Sequence, residues 1–144
     1  MARRDDPYLN FNFVVEIDGE AAAGFSEADL PAGRIEAVVY REGTDRTSAP
    51  RLLPGRVEYG PLVLRRGFAG DATLFQWWQG VVEGNLDRRN VSVVLLDEKR
   101  QEVARWNLRR AWPAKYEPPT LRGLGNDVAI ETLELVHEGF ELAD

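Results

Sequence analysis

The sequence predicts a single mainly β domain over residues 1–144, a sandwich or partly closed barrel of about seven or eight short strands with one helix. Three observations carry that expectation. Apolar residues alternate with polar ones over many short runs, the period-two signature of half-buried strands. Turn signals recur about every ten residues, the spacing expected of a sandwich or barrel. Only one stretch carries the apolar stripe of an amphipathic helix.

The first strand covers residues 11–17, with Phe11, Phe13, Val15 and Ile17 on one face. Asp18-Gly19 supplies a two-residue hairpin turn, whose central positions favour positive φ. A short return over 21–25 follows, and Gly24 within it suggests a bulge or a close backbone approach. Residues 26–33 read as a loop. The next strand, 34–41, has apolar residues on both faces and is expected to be covered on two sides. Residues 42–55 read as a long polar connection, and such loops are uncommon unless functional; it is expected to project and contact a neighbouring subunit.

Residues 57–59 and 62–66 are two short strands, or one strand interrupted at Gly60-Pro61, a pair that breaks a ladder. The helix spans 71–83: Leu74, Trp77, Trp78 and Val81 fit its stripe, Asp71 is a suitable N-cap, and Gly84 suits the C′ position. Leu74, Trp78 and Val81 are expected to bury, leaving Trp77 to reach a neighbour. Residues 91–96 and 101–112 form a strand pair around Asp97-Glu98-Lys99-Arg100. A last strand, 127–138, changes phase near Thr132, which suggests a bulge.

Composition narrows the function. The chain has no cysteine and one histidine, His137, which removes thiol chemistry, disulfides and any histidine-rich metal site. A net charge of −6 argues against a broad nucleic-acid surface. No apolar run is long enough for a spanning helix, and no signal peptide is visible at the start. All four tryptophans fall within residues 54–113, a segment without histidine, cysteine or catalytic spacing. Large apolar anchors with so little chemistry point to contact. The paired arginines Arg65-Arg66, Arg88-Arg89 and Arg109-Arg110 place neighbours on opposite strand faces. One of each pair is suited to an intersubunit surface, or else to a sheet edge guarded against unwanted pairing. The candidate assembly residues are Arg41, Glu42, Asp45, Arg46, Arg51, Arg66, Trp77, Arg89 and Arg110.

The segments DPYLNFNFVVEIDG, GF (24–25), YREG (40–43), LPGRVEYGPLVLRRGF (53–68), LFQWWQGV, RRNVSVVLLDE, RWNLRRAWPAKYEPPTL and VAIETLELVHEGF occur in that order. Together they resemble the tail-tube (inner tube) proteins of contractile phage tails and phage-tail-like contractile injection systems. The resemblance covers nearly the whole chain, although residues 28–33 depart from the glycine-leucine step that usually follows. It implies two packed antiparallel sheets with one flanking α-helix, the tail-tube fold, and a non-enzymatic subunit without cofactor or metal. It further implies hexameric rings that stack into a hollow tube, with sheath, baseplate or spike and tube-terminating proteins as partners and possible cargo in the lumen. Neither sequence-specific nucleic-acid binding nor membrane insertion of the monomer is implied. Assembly is expected in the bacterial cytoplasm, followed by incorporation into the particle. The alternatives are a tube-initiator or baseplate adaptor ring, a small β-barrel ligand-binding module, or an enzyme on a split barrel.

Overall fold

A computed structural model describes residues 6–7, 12–22, 24–41, 43 and 50–143. The described elements are, in order, β1 (Phe13–Ile17), β2 (Glu20–Ala22), β3 (Phe25–Asp29), β4 (Gly33–Tyr40), β5 (Arg51–Tyr59), β6 (Leu62–Gly67), α1 (Thr73–Val82), β7 (Arg89–Leu96), β8 (Glu102–Glu117), β9 (Ile130–Val136) and β10 (Phe140–Leu142). One antiparallel sheet runs β2-β1-β7-β8-β9-β6-β3, with β10 also on β8. The strands β4 and β5 form a separate two-stranded ribbon.

The main sheet closes over its core in a sandwich-like manner because β8 serves both halves. Its first part pairs with β7 through Ala111, and the rest pairs with β9 from Trp112 onward. Between Leu108↔Val91 and Ala111↔Arg89, β8 has two residues where β7 has one. Such a bulge bends a strand and increases its twist. Arg110 takes φ 52° there, and the Asn90 side-chain oxygen accepts its backbone N–H at 3.2 Å.

The core between the halves is aliphatic with one indole: Val15, Leu62, Leu64, Leu74, Trp77, Val91, Val93, Leu108, Ala111, Leu133 and Leu135. On β6 and β9 every second residue is buried, as a pleated strand with one covered face requires. The hairpin at Asp18-Gly19 is formed, with φ 52° and 83°. Ala72 rather than Asp71 takes the N-cap position and has no side-chain cap, because the Asp71 carboxylate closes a local turn just ahead of the helix. Asp71 accepts from the Thr73 N–H at 3.0 Å and from the Thr73 hydroxyl; these bonds hold its carboxyl below the usual carboxylate range. At the other end Gly84 (φ 95°) donates to Val81 and Asn85 donates to Gly80, which closes a Schellman turn.

Several expectations change. Residues 26–33 are not all loop: Phe25–Asp29 is the strand β3, paired with β6. Gly24 (φ 88°) marks the point where the chain leaves one pairing for another. The end of the connection expected over 42–55 is strand, because β5 begins at Arg51 and carries Pro54 and Gly55 within it; residues 42 and 44–49, on which the expected projecting loop falls, lie outside the described residues. A two-strand ribbon tolerates this proline, since its missing N–H falls beside the register shift near Ala37. The last strand pairs without interruption along β6; the irregularity lies across from it on β8, between Pro113 and Lys115. The helix is rotated from the expected phase: Trp77 is buried and Trp78 half-buried. Strand β4, expected to be covered on two sides, is exposed along its whole length.

Candidate assembly interface

The ribbon β4–β5 is the part of the molecule that its own core leaves uncovered. Directly opposite residues of an antiparallel pair share a face, so the register sorts its side chains. Ile35 faces Val57, Ala37 faces Pro54, and Val39 faces Leu52. That face is wholly apolar. The other face pairs Arg34 with Glu58 (3.8 Å), Val38 with Leu53, and Tyr40 with Arg51. Ile35, Val39, Leu52 and Val57 are 59%, 63%, 66% and 52% exposed. An isolated two-stranded hairpin is at best marginally stable in water, and exposed apolar patches of this kind mark interaction sites.

The base of the ribbon is clasped to the body. Gly60 follows β5, and its N–H donates to Ala32 at 2.9 Å. Its carbonyl lies 2.8 Å from His137 Nε2. Gly139 N–H donates to His137 Nδ1 at 3.1 Å, so Nε2 carries the proton and donates to Gly60. Tyr59 stacks edge-on against Phe140 at 5.5 Å, and His137 lies 5.8 Å from Tyr59. The single histidine is thus a structural pin between the β5–β6 and β9–β10 turns.

A second exposed apolar feature lies on the helix. Phe68, Ala72, Phe75, Trp78, Tyr116 and Pro118 line an open hollow of about 460 Å³. Phe75 sits edge-on to Tyr116 at 5.5 Å, and Trp78 lies 6.4 Å from the same ring. Tyr116 is fixed from beneath, where its hydroxyl donates to Glu131 at 2.6 Å. Glu131, 1% exposed, also pairs with the Arg66 guanidinium. Arg66 in turn donates to the Asp71 carbonyl at 3.2 Å. Burial, then the bond to Glu131, pushes the Tyr116 phenol up to about 12.

The nine expected assembly residues are distributed unevenly. Arg41 and Arg51 lie at the far end of the ribbon, both exposed. Glu42, Asp45 and Arg46 lie outside the described residues. The other four engage partners within the subunit. Arg66 is in the buried network just described. Trp77 is 5% exposed, and its Nε1–H donates to the Asp87 carbonyl at 2.8 Å. Arg89 lies over the Trp77 ring at 4.6 Å and grips the Asp87 carboxylate at 3.0 and 2.8 Å. Arg110, at the β8 bulge, donates to Glu138 at 2.6 Å. What sequence reasoning missed is the aliphatic face of the ribbon; its signal was a strand apolar on both faces beside a proline-containing run. Among the described residues no cluster of three or more potential metal ligands gathers.

Residues 9–141 match the family described as T4-like virus tail tube protein gp19. The chain is similar to one in the anti-feeding prophage baseplate, 6-fold symmetrised, at 25% identity and TM-score 0.84, with 97% of each chain covered. It shares its fold with a chain of the extended PVC sheath-tube complex, an extracellular contractile injection system, at 20% identity and TM-score 0.85, covering 96% of this chain and 93% of that one. The fold extends more distantly to Hcp1 from Flavobacterium johnsoniae, at 13% identity and TM-score 0.58, covering 90% and 93%. No curated protein sequence matches.

Proposed function

The chain belongs to the T4-like virus tail tube protein gp19 family, and from that premise we propose that it forms hexameric rings that stack into the inner tube of a contractile particle. Its role is architectural rather than catalytic. The sheath supplies the free energy, and the tube transmits the thrust and offers a channel.

The observation that carries this reading is the ribbon. Its aliphatic face stands exposed among the described residues, so assembly supplies the burial that the fold withholds. The sheet supports it from another direction. Among the described residues its terminal strands, β2 and β3, each have one unpaired edge, and adding a neighbour's strand satisfies such an edge. Two distinct surfaces that meet their complements on other copies make heterologous contacts, which close into rings or continue as filaments. Assembly takes place in the bacterial cytoplasm, with sheath and tube-terminating proteins as further partners.

Negative-stain electron microscopy of the purified protein tests the proposal: rings or stacked tubes are expected at raised concentration. A monomer at every concentration, even with sheath or baseplate proteins of the same particle present, would refute it. A second reading, a tube-initiating or baseplate ring, is favoured by the 25% identity to a chain of a baseplate assembly. Rings that never stack, but that nucleate tubes of a related subunit, would select it.

A further inference from the structure

We infer that the aromatic hollow on α1 is the seat for the aliphatic face of the β4–β5 ribbon of a neighbouring copy of this chain. The inference rests on the tube reading and adds the two surfaces that meet.

Among the described residues both features are exposed and apolar. The ribbon presents Ile35, Val57, Val39 and Leu52 on one side, with no charged residue among the pairs of that face. Such a face needs a cover that is itself apolar and concave. Three other hollows among the described residues do not provide one. That beside Thr120 includes Arg122 and Asp127, that beside Ile17 includes Arg66, Asp71 and Arg89, and that beside Ser26 includes Glu27, Arg65 and Glu117. Seating leucine and valine there would desolvate charges without compensation. The helix hollow is lined by Phe68, Ala72, Phe75, Trp78, Tyr116 and Pro118, with no charged side chain among them. Its one polar tip, the Tyr116 hydroxyl, is already turned inward to Glu131.

Placement argues for a second copy over the same chain. The ribbon is anchored at Tyr59 and Gly60 against β9–β10, whereas the hollow lies over α1 and the far end of β8. A protruding apolar arm and an apolar hollow at different places on one molecule are the two halves of a heterologous contact. Aromatic rings that stay rigid on binding suit the hollow to this part, since they add contact area at low entropic cost.

The chain has no cysteine, so an introduced pair reports the contact without background. The test places Leu52→Cys, Val39→Cys or Val57→Cys on the ribbon, each combined with Ala72→Cys in the hollow. All four sites are exposed, so the subunit fold tolerates the changes. Mild oxidation of assembled protein is expected to give a reducible ladder of linked subunits for at least one pair, because a disulfide forms only between closely approaching Cβ atoms. A second variant, Phe75→Ser, is expected to raise the half-assembly concentration about tenfold, equivalent to roughly 1.4 kcal/mol, beyond the loss of subunit stability from its contacts with Trp78 and Tyr116, which melting of the dilute subunit measures separately. Rings or tubes without any ladder overturn the seat but leave the tube reading intact. A ladder formed instead by Leu124→Cys with Ala72→Cys assigns the hollow to the loop before β9, which also overturns the proposal. Failure of the unmodified protein to assemble, even with sheath or baseplate proteins of the same particle present, defeats the tube reading, and this inference with it.

Discussion

Strands β9 and β4 are built from similar material and meet opposite fates. Each alternates branched aliphatic residues along a short antiparallel strand. In β9, Leu133 and Leu135 are 0% exposed; in β4, Ile35 and Val39 are 59% and 63% exposed. The side chains do not account for the difference. The neighbours do: β9 lies between β8 and β6 beneath the core, whereas β4 has only β5. An aliphatic strand therefore reveals that it must be covered, and not by which molecule. The body is a folded unit with its own core, and the ribbon is an arm whose burial belongs to the assembly.

Substitutions can break this contrast or sharpen it. The largest effect is expected in the body, where Trp77→Ala removes a buried indole and its bond to Asp87 and should cost about 3–5 kcal/mol. Chemical denaturation of dilute, unassembled protein measures it. A loss below about 0.5 kcal/mol, the range of surface changes, would contradict the observed helix phase. Trp78→Ala should cost clearly less, since its ring is only half-buried.

Next comes the buried network. Arg66→Ala leaves Glu131 without its cation and should destabilise the subunit by about 3 kcal/mol. The double variant Arg66→Met with Glu131→Leu is expected to recover most of that loss, because the cost lies in an unpaired charge more than in a missing attraction. Equal losses in the single and double variants would assign the effect to packing alone.

A smaller effect has a pH signature. The phenol of Tyr116 is raised in the fold above its ordinary value of roughly 10, to about 12. The folded state therefore holds the proton more tightly than the unfolded one. That contribution is whole below pH 10 and is lost as the pH rises through 12. Thermal melting from pH 9 to 12 should show a decline that Tyr116→Phe reduces; an identical slope in both proteins would rule the phenol out.

The smallest change in the subunit is expected in the ribbon. Val39→Ser should alter its stability by less than about 0.5 kcal/mol while shortening tubes at equal protein concentration. If unfolding of the dilute subunit responded as strongly to Val39→Ser as to Trp77→Ala, the division into body and arm would fail.

The sequence was most legible where local chemistry and tertiary surroundings agreed. Asp18-Gly19 and Gly84 announced a turn and a helix end by their own conformational preferences. The ordered motifs of the family were legible as well. Less legible was whatever depended on a partner distant in the chain. Trp77 and Trp78 are adjacent and chemically equal, and only the approach of Asp87 and Arg89 turns the first inward. Pro54 and Gly55 read as loop because propensity knows nothing of a two-strand ribbon. The length of β8 was hidden because its continuation beyond Trp112 exists through pairing with β9, a strand distant in the chain. Arg66 reads as a surface cation until Glu131 is brought beneath it. Residues 140–142, too few to carry a period, gave no signal of β10.

The pin at His137 sets the accuracy with which copies can be joined. Strand β4 has eight residues, which at ~3.3 Å each makes a lever of about 25 Å. A tilt of about 10° at its pivot would displace the tip by about 4 Å, nearly the ~4.8 Å between neighbouring strands. Small angular play at Gly60 would thus become a misplacement of a whole strand at the next copy. An imidazole gripped through both nitrogens removes that play at the pivot, where a given stiffness controls the largest arc.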